Sequence, residues 1–172
     1  MYGNMIKVAG IKNESMVDGP GIRFALFVQG CPRSCPGCQN PDSQDPQGGV
    51  YMTIPEILEY LDALPSIDGV TFSGGEPFMQ PSPMAELGRK IKERGYHLIT
   101  YTGYTFEELL KESESCTPIH ELLRVTDVLV DGPYRQEEQQ IGLDYKGSKN
   151  QRLIEVGISL KQTRPIEWSG EW

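Results

Sequence analysis

The sequence is short of positive charge and of long apolar stretches. Its 172 residues contain 16 Lys and Arg against 24 Asp and Glu, a formal net charge of −8. A nucleic-acid surface needs clustered basic residues to neutralise phosphates, and so does attraction to an anionic membrane. No apolar run approaches the length of a membrane span. These absences argue against nucleic-acid and membrane partners.

The chain also lacks the marks of secretion and of acid–base catalysis. Residues 1–10 show no basic region followed by an apolar core, so we expect no signal peptide and a cytoplasmic protein. Only two histidines are present, His97 and His120, and no Ser/His/Asp arrangement is evident around them. No internal repeat interrupts the chain, and its length fits one domain over residues 1–172. Residues 161–172 have no clear pattern, and we expect them to dock on the domain or on a partner.

Cysteine is scarce, yet three of the four cysteines lie within eight residues. Cys31, Cys35 and Cys38 have C-x3-C-x2-C spacing and follow a strand-like segment at residues 24–28. Prolines and a glycine bend the backbone between them, so the three sulfurs can converge on one point. Three thiolates can hold an iron–sulfur cluster with one iron left open, or zinc. A zinc site would need a fourth ligand from the remaining candidates, which are Cys116, His97 and His120. A disulfide is the weaker alternative, because one cysteine would stay unpaired.

Strand and helix patterns alternate along the rest of the chain. Strands are predicted at residues 6–11, 22–29, 69–72, 97–101, 125–130 and 153–160. Capping residues predict helices that open at Thr53, Ser82 and Thr105, and a short helix is predicted at residues 119–123. This alternation predicts parallel strands with helical crossovers, in which ligands bind at the carboxyl ends of the strands.

Four segments follow predicted strands and should therefore meet at one edge of the sheet. They are the cysteine loop and residues 73–76, 102–104 and 131–133. Gly74 and Gly75 carry no side chain and would let backbone groups approach a ligand closely. The carboxylate of Glu76 would add an acceptor for an ammonium group.

On these residues the chain resembles the radical S-adenosylmethionine (SAM) superfamily. The resemblance rests on Cys31, Cys35 and Cys38 together with Ser-Gly-Gly-Glu-Pro at 73–77. Within that superfamily, Val-Asp-Gly-Pro-Gly-Ile-Arg at 17–23 is similar to the activating enzymes of glycyl-radical proteins. Four further segments resemble activators of anaerobic ribonucleoside-triphosphate reductase. They are Cys-Pro-Gly-Cys at 35–38, Tyr-Thr-Gly-Tyr at 101–104, Val-Leu-Val-Asp-Gly at 128–132 and Gly-Ser-x-Asn-Gln-Arg at 147–152.

The resemblance implies an α/β fold of the incomplete β/α-barrel type and a [4Fe-4S] cluster on the three loop cysteines. SAM would occupy the open iron, and the site implied for it comprises Gly74, Gly75, Glu76, Thr102, Gly103 and Arg152. Arg152 or Lys146 would meet the SAM carboxylate, or lie on the surface, and surface is the usual state of a lysine. Gln39 stands where the activators often carry an aromatic residue.

The implied reaction is reductive cleavage of SAM into methionine and a 5′-deoxyadenosyl radical, which takes a hydrogen atom from a glycine of the catalytic subunit of anaerobic ribonucleotide reductase. A one-electron donor is required, and the chain would pair with a second copy or with the reductase. Two alternatives stay open: a radical SAM enzyme acting on another glycyl-radical enzyme or peptide, and a non-enzymatic zinc-binding module.

Overall fold

The computed structural model describes residues 3–172, which form seven strands and five helices. The strands are β1 (Met5–Ser15), β2 (Arg23–Val28), β3 (Val50–Thr53), β4 (Gly69–Gly74), β5 (His97–Tyr101), β6 (Val128–Asp131) and β7 (Arg152–Glu155). The helices are α1 (Ile54–Asp62), α2 (Pro81–Glu93), α3 (Phe106–Ser113), α4 (Thr117–Val125) and α5 (Val156–Gln162). Short 3-10 turns occupy Pro41–Ser43, Pro77–Met79 and Gln136–Glu138.

The strands form one mixed sheet in the order β3-β1-β2-β4-β5-β6-β7. The central strands β2, β4, β5 and β6 run parallel, whereas β1, β3 and β7 pair antiparallel with their neighbours. The expectation of parallel pairing was therefore wrong at both edges. Residues 16–22, which join β1 to β2, are too few for a parallel crossover, which needs about a dozen. In the described chain the outer strands β3 and β7 do not pair, so the sheet is open. The α/β class is confirmed, and the incomplete-barrel form remains a prediction.

Two elements differ most from the sequence predictions; in addition, β1 extends to Ser15, and α4 is longer than predicted, so that β6 begins at Val128 and not at residue 125. The strand β3 was missed, because it has four residues and half of them are exposed, so that no apolar pattern marks it. The last strand was predicted to run through residue 160 but ends at Glu155, where the chain turns into α5. Its partner β6 begins at Val128, which pairs with Glu155, and the last backbone bond to that neighbour runs from the Val156 N–H to the Asp127 carbonyl at 3.0 Å. Val156 and Ser159 are buried at the three-residue spacing of a helix.

The predicted capping residues begin two of the helices. Thr53 and Thr105 each accept a hydrogen bond from the backbone N–H three residues on, and Glu56 and Glu108 bond back to the caps. Both capping boxes are confirmed. The cap predicted at Ser82 was wrong: the N-cap of this helix is Gln80, whose side chain forms no cap bond, and Ser82 lies in the first turn.

The main hydrophobic core lies between the five helices and one face of the sheet. Every helix contributes to this core, and alternate strand residues point into it; its largest strand members are Phe24, Leu26, Phe72, Leu98 and Leu129. The opposite face carries a small apolar cluster to which no helix in residues 3–172 contributes; it comprises Ile99, Val128, Val130, Tyr101, Leu153 and Trp168. We call this opposite side the open face.

The open face is held together by a buried arginine and by the tail of the chain. Arg23 is fully buried and donates to the Thr71 hydroxyl at 2.8 Å and to the carbonyls of Val70 at 2.7 Å and His97 at 3.3 Å. Trp172 stacks on His97 with ring centroids 3.8 Å apart and lies over the Arg23 guanidinium. The tail therefore packs on the domain, at the amino end of β5. None of the helices in residues 3–172 has the length and apolar character that crossing a bilayer requires.

Candidate functional site

A cavity lies at the carboxyl ends of the parallel strands, where the sequence placed the site. Segments that follow or end four neighbouring strands line it: the cysteine loop after β2, residues 73–76 at β4, residues 101–103 at β5 and Gly132 after β6. Leu143, residues 145–147 and Gln151 close another side, and Val17 and Asp18 contribute from the β1–β2 loop. All four predicted segments therefore contribute residues to one cavity. The segment at 131–133 does so through Gly132.

Three thiols face this cavity. Cys31, Cys35 and Cys38 all line it, are partly exposed and form no disulfide. Burial raises the pKa of the Cys31 thiol. The Cys31 N–H donates to the Gln44 carbonyl at 3.1 Å and the Cys38 N–H to the Cys35 carbonyl at 3.1 Å, so the backbone returns on itself around the sulfurs. Across residues 3–172 no three Cys, His, Asp or Glu side chains are assembled at metal-site geometry, so the thiols share a cavity without meeting at one point.

The donor set fits a cluster with an open iron better than a closed zinc site. Cys116 caps α4, and His97 stands at the opposite end of β5 from the cavity, against Trp172. Neither of them nor His120 lines the cavity. Three soft sulfur ligands with no fourth protein ligand suit iron–sulfur chemistry, in which a non-protein group completes the coordination.

Gly74, the last residue of β4, and Gly75, which follows it, bring the turn against the cysteine loop. The Gly75 N–H donates to the Val28 carbonyl and the Glu76 N–H to the Gly30 carbonyl, both at 2.8 Å. A Cβ on Gly75 would lie 2.3 Å from the Gly30 oxygen, and Gly74 has φ of +94°. Any larger residue would push the turn away from the loop. The glycines therefore bring the predicted SAM motif and the predicted cluster loop into backbone contact, while both still line the cavity.

Glu76 is buried, and most of its hydrogen-bonding capacity is used within the protein. The residue is only 1% exposed. Its carboxylate accepts hydrogen bonds from Phe78 N–H at 3.1 Å, the Thr102 hydroxyl at 2.8 Å and Gly103 N–H at 2.8 Å. Burial raises its pKa to about 7, while the three donors act in the opposite direction. A carboxylate has about four acceptor positions, so about one is left for the ammonium group we predicted there. Thr102 and Gly103, predicted as cofactor residues, thus hold Glu76 and also line the cavity.

The prediction for Arg152 is corrected by the structure. Its guanidinium binds Asp131 at 2.5 Å and Glu107 at 2.7 Å and lies outside the cavity that the cysteines line. Arg152 holds the pKa of Glu107 below its ordinary value. With both faces of its fork occupied by carboxylates, it has little capacity left for a ligand. Lys146, which we expected to find on the surface, is partly buried and lines the cavity.

Several cavity residues were not singled out from the sequence. Asp18 belongs to the quoted 17–23 motif, and its carbonyl accepts from the Thr71 hydroxyl at 2.7 Å. Arg33, inside the cysteine loop, lies over the Tyr104 ring and 3.4 Å from Glu108. Tyr101 is partly buried and donates to the Tyr145 carbonyl at 2.6 Å. All three residues lie in segments that the sequence had marked, at 17–23, 31–38 and 101–104, but their contacts join residues far apart in sequence.

Known proteins give this site a family. The model of a 4Fe-4S single cluster domain matches residues 17–154. The anaerobic ribonucleoside-triphosphate reductase-activating protein of Vibrio cholerae is 34% identical over 145 residues, which are 79% of this chain and 89% of that protein. The pyruvate formate-lyase-activating enzyme of Clostridium pasteurianum is 40% identical over 119 residues, 64% of this chain and 50% of that enzyme. The chain thus spans about half the length of the Clostridium relative.

A crystal structure of QueE from Escherichia coli aligns with 59% of this chain and 53% of that protein, at a TM-score of 0.46 and 14% identity. A likeness of this extent supports no conclusion.

The family match favours iron–sulfur over zinc, and it confirms the predicted cofactors, a [4Fe-4S] cluster and SAM. The chain therefore belongs to the 4Fe-4S single cluster domain family within the radical SAM superfamily.

Proposed function

We propose that this chain is a radical SAM activase that generates a glycyl radical on anaerobic ribonucleotide reductase. The observation that carries the proposal is the convergence of Cys31, Cys35 and Cys38 with the Gly74–Gly75 turn at one cavity. A cluster loop and a SAM motif in direct backbone contact are the arrangement that this chemistry requires, because SAM must reach the open iron.

Each part of the cavity has a task in this proposal. Cys31, Cys35 and Cys38 hold the cluster, and the backbone of Gly74 and Gly75 borders the amino end of SAM. Glu76 keeps Thr102 and Gly103 in place at the end of β5. A reduced cluster held by these thiolates would supply the one electron that cleaves SAM, and the adenosyl fragment would take a hydrogen atom from the partner's glycine. The chain itself orients the reacting groups and excludes water.

The choice of target rests on the segments at 101–104, 128–132 and 147–152, which resemble those of reductase activators. A reductase-activating relative is 34% identical over 79% of this chain. Besides the three loop cysteines the sequence has only Cys116, so it offers no second set of clustered cysteines for another iron–sulfur centre. A second candidate target is pyruvate formate-lyase, favoured by the 40% identity of its Clostridium activator.

The test is to give the protein each target in turn. The anaerobically reconstituted protein, with SAM and a one-electron reductant, is mixed with the catalytic subunit of an anaerobic ribonucleotide reductase or with pyruvate formate-lyase. We expect the electron paramagnetic resonance signal of a glycyl radical on the reductase and not on the lyase, and no signal with Cys35→Ala. A signal on the lyase alone would reassign the target, and SAM cleavage with neither signal would point to another protein or peptide substrate.

A further inference from the structure

The Gly-Ser-x-Asn-Gln-Arg segment at 147–152 has no assigned role in the proposed function. Its Ser, Asn and Gln side chains form hydrogen bonds within the protein. Gln151 is 9% exposed. Its side-chain oxygen accepts from Gly147 N–H at 2.7 Å and Ser148 N–H at 3.3 Å, and its amide nitrogen donates to the Gly132 carbonyl at 2.9 Å. One side chain thus joins the turn at 147–148 to the end of β6.

Ser148 and Asn150 of the same segment also form hydrogen bonds to residues 133–135. The Ser148 hydroxyl accepts from Arg135 N–H at 3.1 Å and bonds to the Asn150 side chain at 2.6 Å. The Asn150 amide donates to the Pro133 carbonyl at 2.7 Å. Residues 132–135 and 147–151 are therefore tied together by side-chain amides and a hydroxyl, and we call these two segments the clasp.

The clasp holds the stretch of chain that reaches over the cavity. Tyr145 has φ of +59°, and its carbonyl accepts from the Tyr101 hydroxyl on the other side of the cavity. Lys146 follows it directly and lines the cavity. The backbone on both sides of Lys146 is therefore fixed, at Tyr145 by Tyr101 and at Gly147 by Gln151.

Lys146 also differs from the nearby arginine side chains in its ion pairing. Arg33 contacts Glu108 and Arg152 contacts two carboxylates. Within residues 3–172 the ammonium group of Lys146 has no carboxylate partner. A lysine that lines a ligand cavity, without an acid of its own, is suited to an anionic group of the ligand.

We propose that Gln151 is a positioning residue which, through the clasp, holds Lys146 at the cavity to receive the carboxylate of bound SAM. This rests on the proposed function, since it assumes that SAM occupies the cavity. Because the backbone at Lys146 is already ordered, SAM binding would not incur the additional cost of ordering it. Gln151 acts here through Lys146 and not by touching the carboxylate.

The experiment compares two ligands and four proteins by equilibrium dialysis. The ligands are SAM and decarboxylated SAM, which keeps the sulfonium and amino groups. The proteins, all reconstituted with the cluster, are the wild type, Lys146→Met, Gln151→Ala and the double variant. We expect each single variant to bind SAM about tenfold more weakly, the effect of losing one charge-assisted contact, with little change for the decarboxylated ligand.

The double variant is the decisive arm. If Gln151 works through Lys146, the double variant should bind SAM within about twofold of Lys146→Met, whereas independent effects would multiply to about a hundredfold. Independent effects, or equal losses for both ligands, would overturn the proposal. Thr53→Ala, which removes a helix cap far from the cavity, is the control for general destabilisation and should leave SAM affinity unchanged.

The two levels of inference fail differently. If the wild type does not bind SAM, the proposed function is contradicted, and this inference with it. If the wild type binds SAM and decarboxylated SAM equally, only the role of Lys146 is contradicted. Should Gln151→Ala not fold, as judged by circular dichroism, Lys146→Met with the two ligands still decides whether the lysine meets the carboxylate.

Discussion

The two faces of the sheet are built in different ways. The helix-covered face is a continuous apolar core to which every helix contributes. The open face has only a small apolar cluster and relies on a buried arginine, on threonine hydroxyls and on loops, with the cavity at its carboxyl edge. One face therefore supplies most of the stability, and the other leaves backbone and polar groups free to hold ligands. The predictions below separate the two contributions.

The largest effect should come from the cysteine loop at the edge of the open face. Replacing Cys31, Cys35 or Cys38 by Ala should lower bound iron and sulfide to background and abolish SAM cleavage, because three thiolates are needed to hold the cluster. The thermal unfolding of the metal-free protein should change little, since these residues are outside both apolar clusters. Cys116→Ala is the matched control and should keep full iron content. A cluster retained by Cys35→Ala would refute the ligand assignment.

Adjacent residues of β4 compare the two faces directly. Phe72 is fully buried in the helix-covered core, and Phe72→Ala should cost about 3–5 kcal/mol of unfolding free energy. Thr71 points to the open face, where its hydroxyl accepts from Arg23 and donates to the Asp18 carbonyl. Thr71→Val keeps the volume and should cost about 1–3 kcal/mol. It should also speed amide exchange in residues 16–22, which Phe72→Ala should not do selectively. Urea unfolding measures the two losses of unfolding free energy, and hydrogen exchange measures the local opening of residues 16–22. A larger loss for Thr71→Val than for Phe72→Ala would contradict the different roles assigned to the two faces.

Glu76 gives the open face a pH dependence. Its folded-state pKa of about 7 lies above the ordinary value of 4.5, so the folded protein binds a proton more tightly than the unfolded chain does. Stability from this group is therefore complete below about pH 4.5 and decreases as pH rises to 7, by about 3 kcal/mol in total.

The measurement compares urea unfolding of the metal-free wild type with that of Glu76→Gln between pH 5 and 8. Other carboxyl groups titrate alike in both proteins, so the difference between them isolates Glu76. A difference that does not vary over this range would show that the carboxylate stays ionised, held by its three donors.

The smallest effect should come from the helix caps. Thr53→Ala removes the side-chain acceptor that begins α1 and should cost about 1 kcal/mol, with normal iron content and SAM cleavage. Thermal denaturation with an iron assay checks both. A loss of cluster in this variant would mean that the helix-covered face takes part in the chemistry.

What could be predicted from the sequence follows the same division. The caps at Thr53 and Thr105 and the strands of the parallel core depend on residues close together in the chain, and local patterns indicated them. The Arg23 contacts join residues 47 to 74 positions apart, and no local pattern marks such a pairing.

The choice between Lys146 and Arg152 was beyond the sequence for a related reason. Both residues follow the last parallel strand and both are basic. Only the fold shows that Arg152 meets Asp131 and Glu107, whereas Lys146 is carried to the cavity by the clasp. The edge strand β3 was missed because it has only four residues, two of them exposed, which show no periodicity.

The most direct test of the central claim is the electron paramagnetic resonance spectrum of the anaerobically reconstituted, reduced protein with and without SAM. If the three cysteines leave one iron open beside the Gly74–Gly75 turn, a [4Fe-4S]+ signal should appear and change shape when SAM is added. A signal unaffected by SAM, or zinc in place of iron in the purified protein, would contradict the account.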